Sequence, residues 1–315
     1  MNLALLFDGM LVILILAVAV WTVTVRDSFA AGIGYATYGL LLALAWVRLA
    51  AVDAALTEAA IGGGLTSVLM IRATVRLRAG EAAARAATPG PLLRLLAALL
   101  GGSVAAGLAL VVLALPDPAP TLAPQVAEHI ATTGLGNAVT AVLLSFRAID
   151  TLLEAVVLIY ALVAVWTLTP DRFWGGRPGP KYETDPNGML AYLARLLPPI
   201  GIVVAVYVLW VGADLPGGKF QAGTLLAAMW LLAIMAGLTE APPISRRWLR
   251  GVLVAGTVVF LAIGFAGVLL AGAFLAYPED FAKPLIVTIE AASMLSIAFT
   301  LALLVLGPPE RSDQA

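Results

Sequence analysis

The 315-residue chain is built from a succession of apolar segments that are each long enough to cross a bilayer. A helix needs about 20 apolar residues to span roughly 30 Å of hydrocarbon. The chain is 62% hydrophobic, and its 18 basic and 19 acidic side chains could not cover the surface of a soluble protein this apolar. The sequence therefore predicts an all-α, polytopic membrane protein with about nine transmembrane helices. The predicted spans are 3–25, 28–48, 53–72, 92–115, 142–168, 192–212, 222–239, 249–276 and 284–307.

The basic residues predict an orientation. If the N-terminus is outside and the C-terminus inside, fourteen lysines and arginines fall on the inner side, and only Lys219 and Lys283 fall on the outer side. Inner loops of membrane proteins carry such an excess of positive charge. The first span lacks the basic start and cleavage site of a signal peptide, so we expect it to remain in the protein. The expected location is the plasma membrane.

The loops divide the predicted spans into groups of three, two and four. The basic loop 73–91 and the Pro- and Gly-rich loop 169–191 separate the groups, and the proline-rich loop 116–136 is expected to be extended and external. No internal repeat is evident, which does not favour a self-contained carrier. The predicted modules are 1–90, 91–170 and 187–315, with 171–186 as a linker.

Several kinds of chemistry are excluded by residue type. The chain has no cysteine and one histidine, which argues against thiolate, haem and zinc sites. The net charge of −1 gives no basic field for nucleic acid. We expect no resident cofactor or metal and no catalytic residues. No predicted span contains a lysine, so we also expect no complete proton path within this chain.

The first cluster of ionisable residues comprises Arg48, Asp53 and Glu58. Such residues cost about 2.5–3.5 kcal/mol each at the centre of a membrane helix, which makes them functional candidates. One helix over 28–72 would be about 67 Å long, so the chain must turn near this cluster. Asp53 either caps the third span or serves in ion transfer. Glu58 lies deeper, and the Gly62–Gly64 run beyond it permits a kink, a bulge or a close helix contact, which suits proton or cation transfer.

The second cluster is Arg147, Asp150 and Glu154, whose spacing places all three on one face of a helix. Arg147 and Asp150 can pair, either as a neutral structural contact or as part of a functional site. Glu154 then has no partner in its own helix and needs a proton, a cation or a residue from another helix.

Other polar positions are isolated. Glu290 lies in the last span and is expected to meet Lys283, seven residues earlier; structural and functional interpretations are equally open. Asp8 and Glu240 are expected at the interface. His129 is either simply solvated in its loop or a proton entry point.

A glycine-rich loop lies between the sixth and seventh spans. Successive glycines after a proline predict a tight, non-helical backbone, which either lines an ion path or forms a simple reverse turn. The motif residues are Gly217, Gly218, Phe220, Gln221 and Gly223.

Three segments resemble known families. Asp53-Ala-Ala-Leu-Thr-Glu58-Ala-Ala-Ile-Gly62 resembles the signature of the MbhD-type domain of hydrogenases, and Asn137 to Glu154 resembles the MbhE-type segment. Residues 187–307, with Pro216-Gly217-Gly218-x-Phe220-Gln221-x-Gly223, resemble the MnhB-type domain of Mrp antiporters. The order of the three segments also matches the usual order of these modules.

The resemblance implies a non-enzymatic membrane subunit of a multi-subunit Mrp-type antiporter, related to respiratory complex I, that exchanges Na⁺ or another monovalent cation for protons. The implied partners are lipid, large antiporter-like subunits and a small complex I-type subunit. Asp53, Glu58, Asp150 and Glu154 are then candidates for ion translocation or its coupling. The same modules also fit the membrane arm of a membrane-bound hydrogenase or related redox-driven pump.

Two residues depart from the MnhB pattern, namely Lys219, where a third glycine is usual, and Ala213, where a histidine is common. Two further hypotheses stay open: a structural scaffold without an ion path, and a stand-alone carrier.

Overall fold

A computed structural model describes residues 3–86 and 89–312, and it confirms an all-α polytopic protein. Eight helices of the described residues are long and apolar enough to cross a membrane. The predicted span 222–239 corresponds to the shorter helix Lys219–Met235, which has 17 residues. The helices are α1 (Leu3–Thr24), α2 (Ser28–Arg48), α3 (Val52–Thr57), α4 (Ser67–Ala86), α5 (Pro91–Ala114), α6 (Ala123–His129), α7 (Ala138–Ala141), α8 (Ala148–Trp166), α9 (Met189–Val211), α10 (Lys219–Met235), α11 (Arg247–Ala271) and α12 (Ala282–Leu306).

The third span is a composite helix. As predicted, the chain turns after Arg48, and α3 starts at Val52. The segment Glu58–Thr66 then forms π-helical turns before α4 begins. The glycine run thus widens the helix in the way the sequence indicated. Helix α4 continues to Ala86, so most of the predicted loop 73–91 is helical.

The predicted span 142–168 is broken. Helix α7 and the π-helical turns Val142–Phe146 end at Arg147, whose φ of −130° and ψ of 35° interrupt the helix before α8. Upstream, the loop 116–136 is not fully extended, because α6 and a 3₁₀ turn lie within it. The stretch Ala123–Thr133 meets Ala138–Phe146 at 87°.

The last four helices form a bundle around α12. This helix is the most buried membrane helix of the described residues, and it packs against α8, α10 and α11. Small residues permit the close approach: a Cβ on Gly256 would lie 2.7 Å from the Ser293 Cα. Apolar side chains that are fully buried fill the core, namely Leu249, Phe260, Ile286, Ile289, Leu303 and Leu306.

The segment predicted as a linker, 171–186, is folded against the end of the chain. The short strand β1 (Arg177–Pro178) pairs antiparallel with β2 (Pro309–Arg311). Glu240 lies 3.4 Å from Arg177 and 3.6 Å from Arg311, so one carboxylate holds both strands.

Helix α5 contrasts with the bundle. None of its 24 residues is buried, and large apolar side chains are exposed along its whole length. In a membrane protein, such a helix faces lipid or another subunit.

Candidate functional site

A cavity of about 640 Å³ lies between the N-terminal helices and the four-helix bundle. It brings together residues that are more than 200 positions apart in the sequence. Three of the predicted acids line it, together with four residues of the glycine-rich loop. These residues are Asp53, Glu58, Glu290, Gly217, Gly218, Phe220 and Gln221.

Asp53 is not the N-cap of the third span; that position belongs to Ala51, and Asp53 lies in the first helical turn. Its Oδ1 atom instead accepts hydrogen bonds from the Asn137 side-chain amide at 3.2 Å and the Gly217 backbone N–H at 3.0 Å. The reason is tertiary, because the loop before α10 supplies a donor that outcompetes the local backbone. Asp53 therefore joins two separate parts of the chain.

Asn137 is the centre of this junction, and it is 7% exposed. Besides Asp53, its amide donates to the Leu215 carbonyl at 3.0 Å. Its backbone N–H donates to the Ala213 carbonyl, also at 3.0 Å. Thr140, one turn later, donates to the Gly212 carbonyl at 2.6 Å. The middle segment of the chain thus fixes the glycine-rich loop.

The loop before α10 is tight because its glycines touch. A Cβ on Gly212 would lie 2.6 Å from the Gly218 backbone nitrogen. Gly218 has a φ of +129°, a conformation that side chains disfavour. Gln221, in the first turn of α10, donates to the Thr57 hydroxyl at 2.9 Å. Gly223 lies farther along, against Ile297, where a Cβ would be 2.8 Å from Cγ2.

Glu58 lies at the start of the π-helical turns on the cavity wall, and it is half-buried. Its carboxylate folds over Gly62 and occupies the space where a Cβ would be. Among the described residues, no side chain or backbone group hydrogen-bonds this carboxylate. It is therefore free to bind a proton or a cation from the cavity.

Lys219 does not lie in the loop before α10, where the sequence predicts it, but within that helix. It is the first residue of α10, lines the cavity and is only 5% exposed. Its Nζ lies 5.3 Å from the centre of the Phe220 ring and 6.0 Å from that of Phe260. Two carboxylates, Glu290 and Glu154, interact with it electrostatically. Lys219 thus supplies Glu154 with an opposite charge on another helix, although the two side chains form no hydrogen bond or salt bridge in the described part of the chain.

Glu290 does not meet Lys283, which corrects a second prediction. Lys283 instead donates to both carboxylate oxygens of Asp214 at 2.7 Å. This hydrogen-bonded ion pair lowers the pKa of the Asp214 carboxyl. Glu290 is 4% exposed, and its Oε2 atom has no hydrogen-bond partner among the described residues.

The remaining predicted residues lie away from the cavity. Arg48 forms a bidentate pair with Asp8, at 2.6 and 3.0 Å. Arg147 pairs with Asp150 at 2.6 Å, as expected, but both side chains are exposed. The expected shared helix face is wrong, because the helix begins only after Arg147.

Glu154 is also exposed at the surface, on α8, and it does not line the cavity. His129 lies at the exposed end of α6, where its Nδ1 lies 2.9 Å from the Gln125 carbonyl oxygen. Neither residue belongs to the cavity wall. Glu154 interacts electrostatically with Lys219, which does line the cavity.

The chemistry of this cavity is that of acids and one amine. In the described part of the chain, no group of three or more His, Asp or Glu side chains could hold a metal ion. The carboxylates can bind protons or monovalent cations, and glycine-rich backbone allows close approach.

Comparison with known proteins finds matches for two parts of the chain that contribute to the cavity wall. Residues 13–79 match the MbhD family of MBH proteins, and residues 189–308 match the "domain related to MnhB subunit of Na⁺/H⁺ antiporter". A curated relative, an uncharacterised protein of Methanocaldococcus jannaschii, is 25% identical over 154 residues. That alignment covers 44% of this chain and 59% of the relative.

Two solved structures are similar. One is the Mrp complex from Dietzia sp., with a TM-score of 0.76, 24% identity, and coverage of 98% of this chain and 35% of that chain. The chain thus spans about a third of the Mrp protein that it matches, and at this identity the likeness shows the fold. The other is the membrane-bound sulfane sulfur reductase, an archaeal respiratory membrane complex, with a TM-score of 0.56, 26% identity, and coverage of 68% of this chain and 97% of that chain.

The predicted order of modules is confirmed at both ends, while the MbhE-type assignment of the middle segment stays a prediction. Sequence reasoning missed the roles of Asn137 and Lys219 in the site. The available signal for Lys219 was its departure from the glycine pattern, next to a predicted span.

Proposed function

We propose that this chain, which joins an MbhD module to an MnhB-type module, is a membrane subunit of an Mrp-type cation/proton antiporter and contributes its acid-lined cavity to ion movement. One observation carries the proposal: Asp53, Glu58 and Glu290 surround a single cavity at the boundary of the two modules. Burying ionisable side chains in a membrane protein is costly, and such residues usually serve ion movement.

The chain is proposed to act with other subunits. Helix α5 has no buried residue, so its apolar surface is left for lipid or another subunit. We infer that large antiporter-like subunits and a small complex I-type subunit complete the path, with Na⁺ or another monovalent cation exchanged for protons. The proposed location is the plasma membrane, with the N-terminus outside.

The test is cation/proton exchange by the assembled complex in membrane vesicles. We expect Glu58→Gln to reduce the exchange rate by about tenfold or more, because the amide keeps the shape but cannot bind a proton or a cation at neutral pH. Glu279→Gln is the matched control, since Glu279 is exposed and outside the cavity. Equal exchange by the Glu58→Gln and wild-type complexes would contradict a role in transport.

A redox-driven ion pump is the second candidate. It is favoured by the match to almost the whole of one chain of the sulfane sulfur reductase, covering 97% of that chain. The two candidates are separated by isolating the native complex and measuring bound iron, nickel and flavin. Stoichiometric redox centres would favour the pump, and exchange without them would favour the antiporter.

A further inference from the structure

We propose that the Lys219 ammonium group is the resident cation of the Glu290 pocket, and that it reserves this pocket for protons by excluding Na⁺ and other monovalent metal ions. The inference rests on the proposed function and deepens it, because it assigns protons rather than metal ions to the part of the cavity around Glu290.

The first observation is the burial of both charged side chains. Lys219 is 5% exposed and Glu290 is 4% exposed, yet both line the cavity. An ion that loses its water shell needs an opposite charge close by. Their electrostatic interaction supplies that charge for each. The two residues therefore face the same cavity from different helices, α10 and α12, although no salt bridge joins them in the described part of the chain.

The second observation is the open oxygen of Glu290. Its Oε1 lies against the backbone, 3.2 Å from the position of a Cβ on Gly218. Its Oε2 is buried and has no hydrogen-bond partner among the described residues. A buried acceptor without a donor is costly and marks a position at which a proton, a water molecule or an ion binds.

The surroundings favour the proton over a metal ion. Metal cations such as Na⁺ need several oxygen ligands at once, as other hard cations do. The ammonium group of Lys219 is flanked instead by the rings of Phe220 and Phe260. A metal ion at Glu290 would also lie beside the positive charge of the lysine, which repels it.

The two groups can lose their charges together without another ion. A neutral amine on Lys219 and a neutral carboxylic acid on Glu290 carry the same total charge as the ammonium group and the carboxylate. The net charge of the pair is zero before and after. The other titratable groups that act on the pair are Asp53 from α3 and Glu154 from α8, with Glu58 on the same cavity wall.

The experiment measures protection of Glu290 from dicyclohexylcarbodiimide, which modifies protonated carboxyl groups in membranes. The assembled complex is labelled in choline chloride or NaCl at equal ionic strength, and mass spectrometry quantifies the modified Glu290 peptide. For the wild type, we expect the same labelling in both salts. For Lys219→Met, we expect Na⁺ to reduce the labelling about tenfold at saturating concentration, because the freed carboxylate now binds the metal ion.

Matched variants control for charge and for assembly. Lys219→Arg keeps the positive charge, so its labelling should remain insensitive to Na⁺. Lys283→Met removes an exposed lysine of the same outer region and should also remain insensitive. If the Lys219→Met complex does not assemble, Lys219→Gln provides an uncharged side chain that retains hydrogen-bond donors.

Two results would overturn the proposal. One is that Na⁺ protects Glu290 from labelling in the wild-type complex. The other is that Na⁺ leaves the labelling of Glu290 unchanged in both Lys219→Met and Lys219→Gln. The labelling reports binding and does not require transport. The proposed function is tested by exchange in the Glu58→Gln complex, so it can fail while this inference holds. This inference can likewise fail while the proposed function holds.

Discussion

Asp53 and Glu290 are held in opposite ways within one cavity. Asp53 accepts hydrogen bonds from Asn137 and from Gly217, whereas Glu290 keeps an unpaired oxygen beside a buried lysine. Hydrogen bonds to a charged acceptor contribute about 1.5–3 kcal/mol, so the bonds of Asp53 favour a structural role. The free oxygen of Glu290 favours an exchangeable proton. The sequence alone does not show which of the two acids has the structural role and which exchanges a proton.

Asp53→Ala is expected to lower the stability of the protein by about 1.5–3 kcal/mol, because it leaves the Gly217 N–H and the Asn137 amide without their acceptor. The measurement is the thermal unfolding midpoint of the purified complex. Asp53→Asn retains a side-chain oxygen and should recover part of the loss. If alanine and asparagine destabilise equally, the oxygen is not what joins the loop to α3.

The π-helical turns of the third span depend on contact with α2. A Cβ on Gly39 would lie 2.7 Å from the Gly63 Cα, so the two backbones touch. This contact fixes the turns that begin at Glu58 on the cavity wall. Widened turns occur frequently at functional sites, where they place one side chain outside the regular helical register.

Gly39→Ala is expected to separate α2 from the π-helical turns and to lower both stability and exchange activity. Backbone atoms cannot yield as a side chain would, so we expect a cost of about 1–3 kcal/mol. Gly107→Ala on α5 is the matched control, because no atom lies within 4 Å of its Cβ position. The comparison uses thermal unfolding and vesicle exchange; a Gly39→Ala complex that matches this control would refute the role of the contact.

The sequence predicted most helices but not how they meet. Apolar length located the spans, and the glycine run after Glu58 indicated the bulge, because both are local properties. The Asp53 contacts could not be predicted, because they depend on the loop before α10, which is distant in the sequence. The break at Arg147 could not be predicted either, because no proline or glycine lies between residues 138 and 154 to indicate it. The sequence predicts Lys219 in an outer loop because the residue lies between the predicted spans 192–212 and 222–239. In the structure, it is only 5% exposed, and its ammonium group lies near the rings of Phe220 and Phe260.

At the scale of the whole molecule, the composite third span, which runs from α3 through the π-helical turns to α4, is attached to the C-terminal module at both of its ends. At the cavity end, Asp53 holds the loop before α10. At the other end, α4 reaches the end of the chain: Arg72 donates to the Val305 carbonyl, and Arg76 pairs with Glu310 at 2.5 Å. Two attachments separated by the length of a helix fix the relative position of the modules, and hence the width of the cavity.

Arg72→Gln is expected to loosen the second attachment, because the amide side chain is shorter and leaves the Val305 carbonyl without its charged donor. A hydrogen bond to a charged group is worth about 1.5–3 kcal/mol, and Arg72 is only half-buried, so we expect a loss near the lower limit. Thermal unfolding of the purified complex measures this loss, with Arg94→Gln on the exposed surface of α5 as control. Exchange should fall as well, although Arg72 does not line the cavity, because the modules that form its walls are no longer held at a fixed distance. If stability falls and exchange does not, the attachment at Asp53 alone sets the geometry of the cavity.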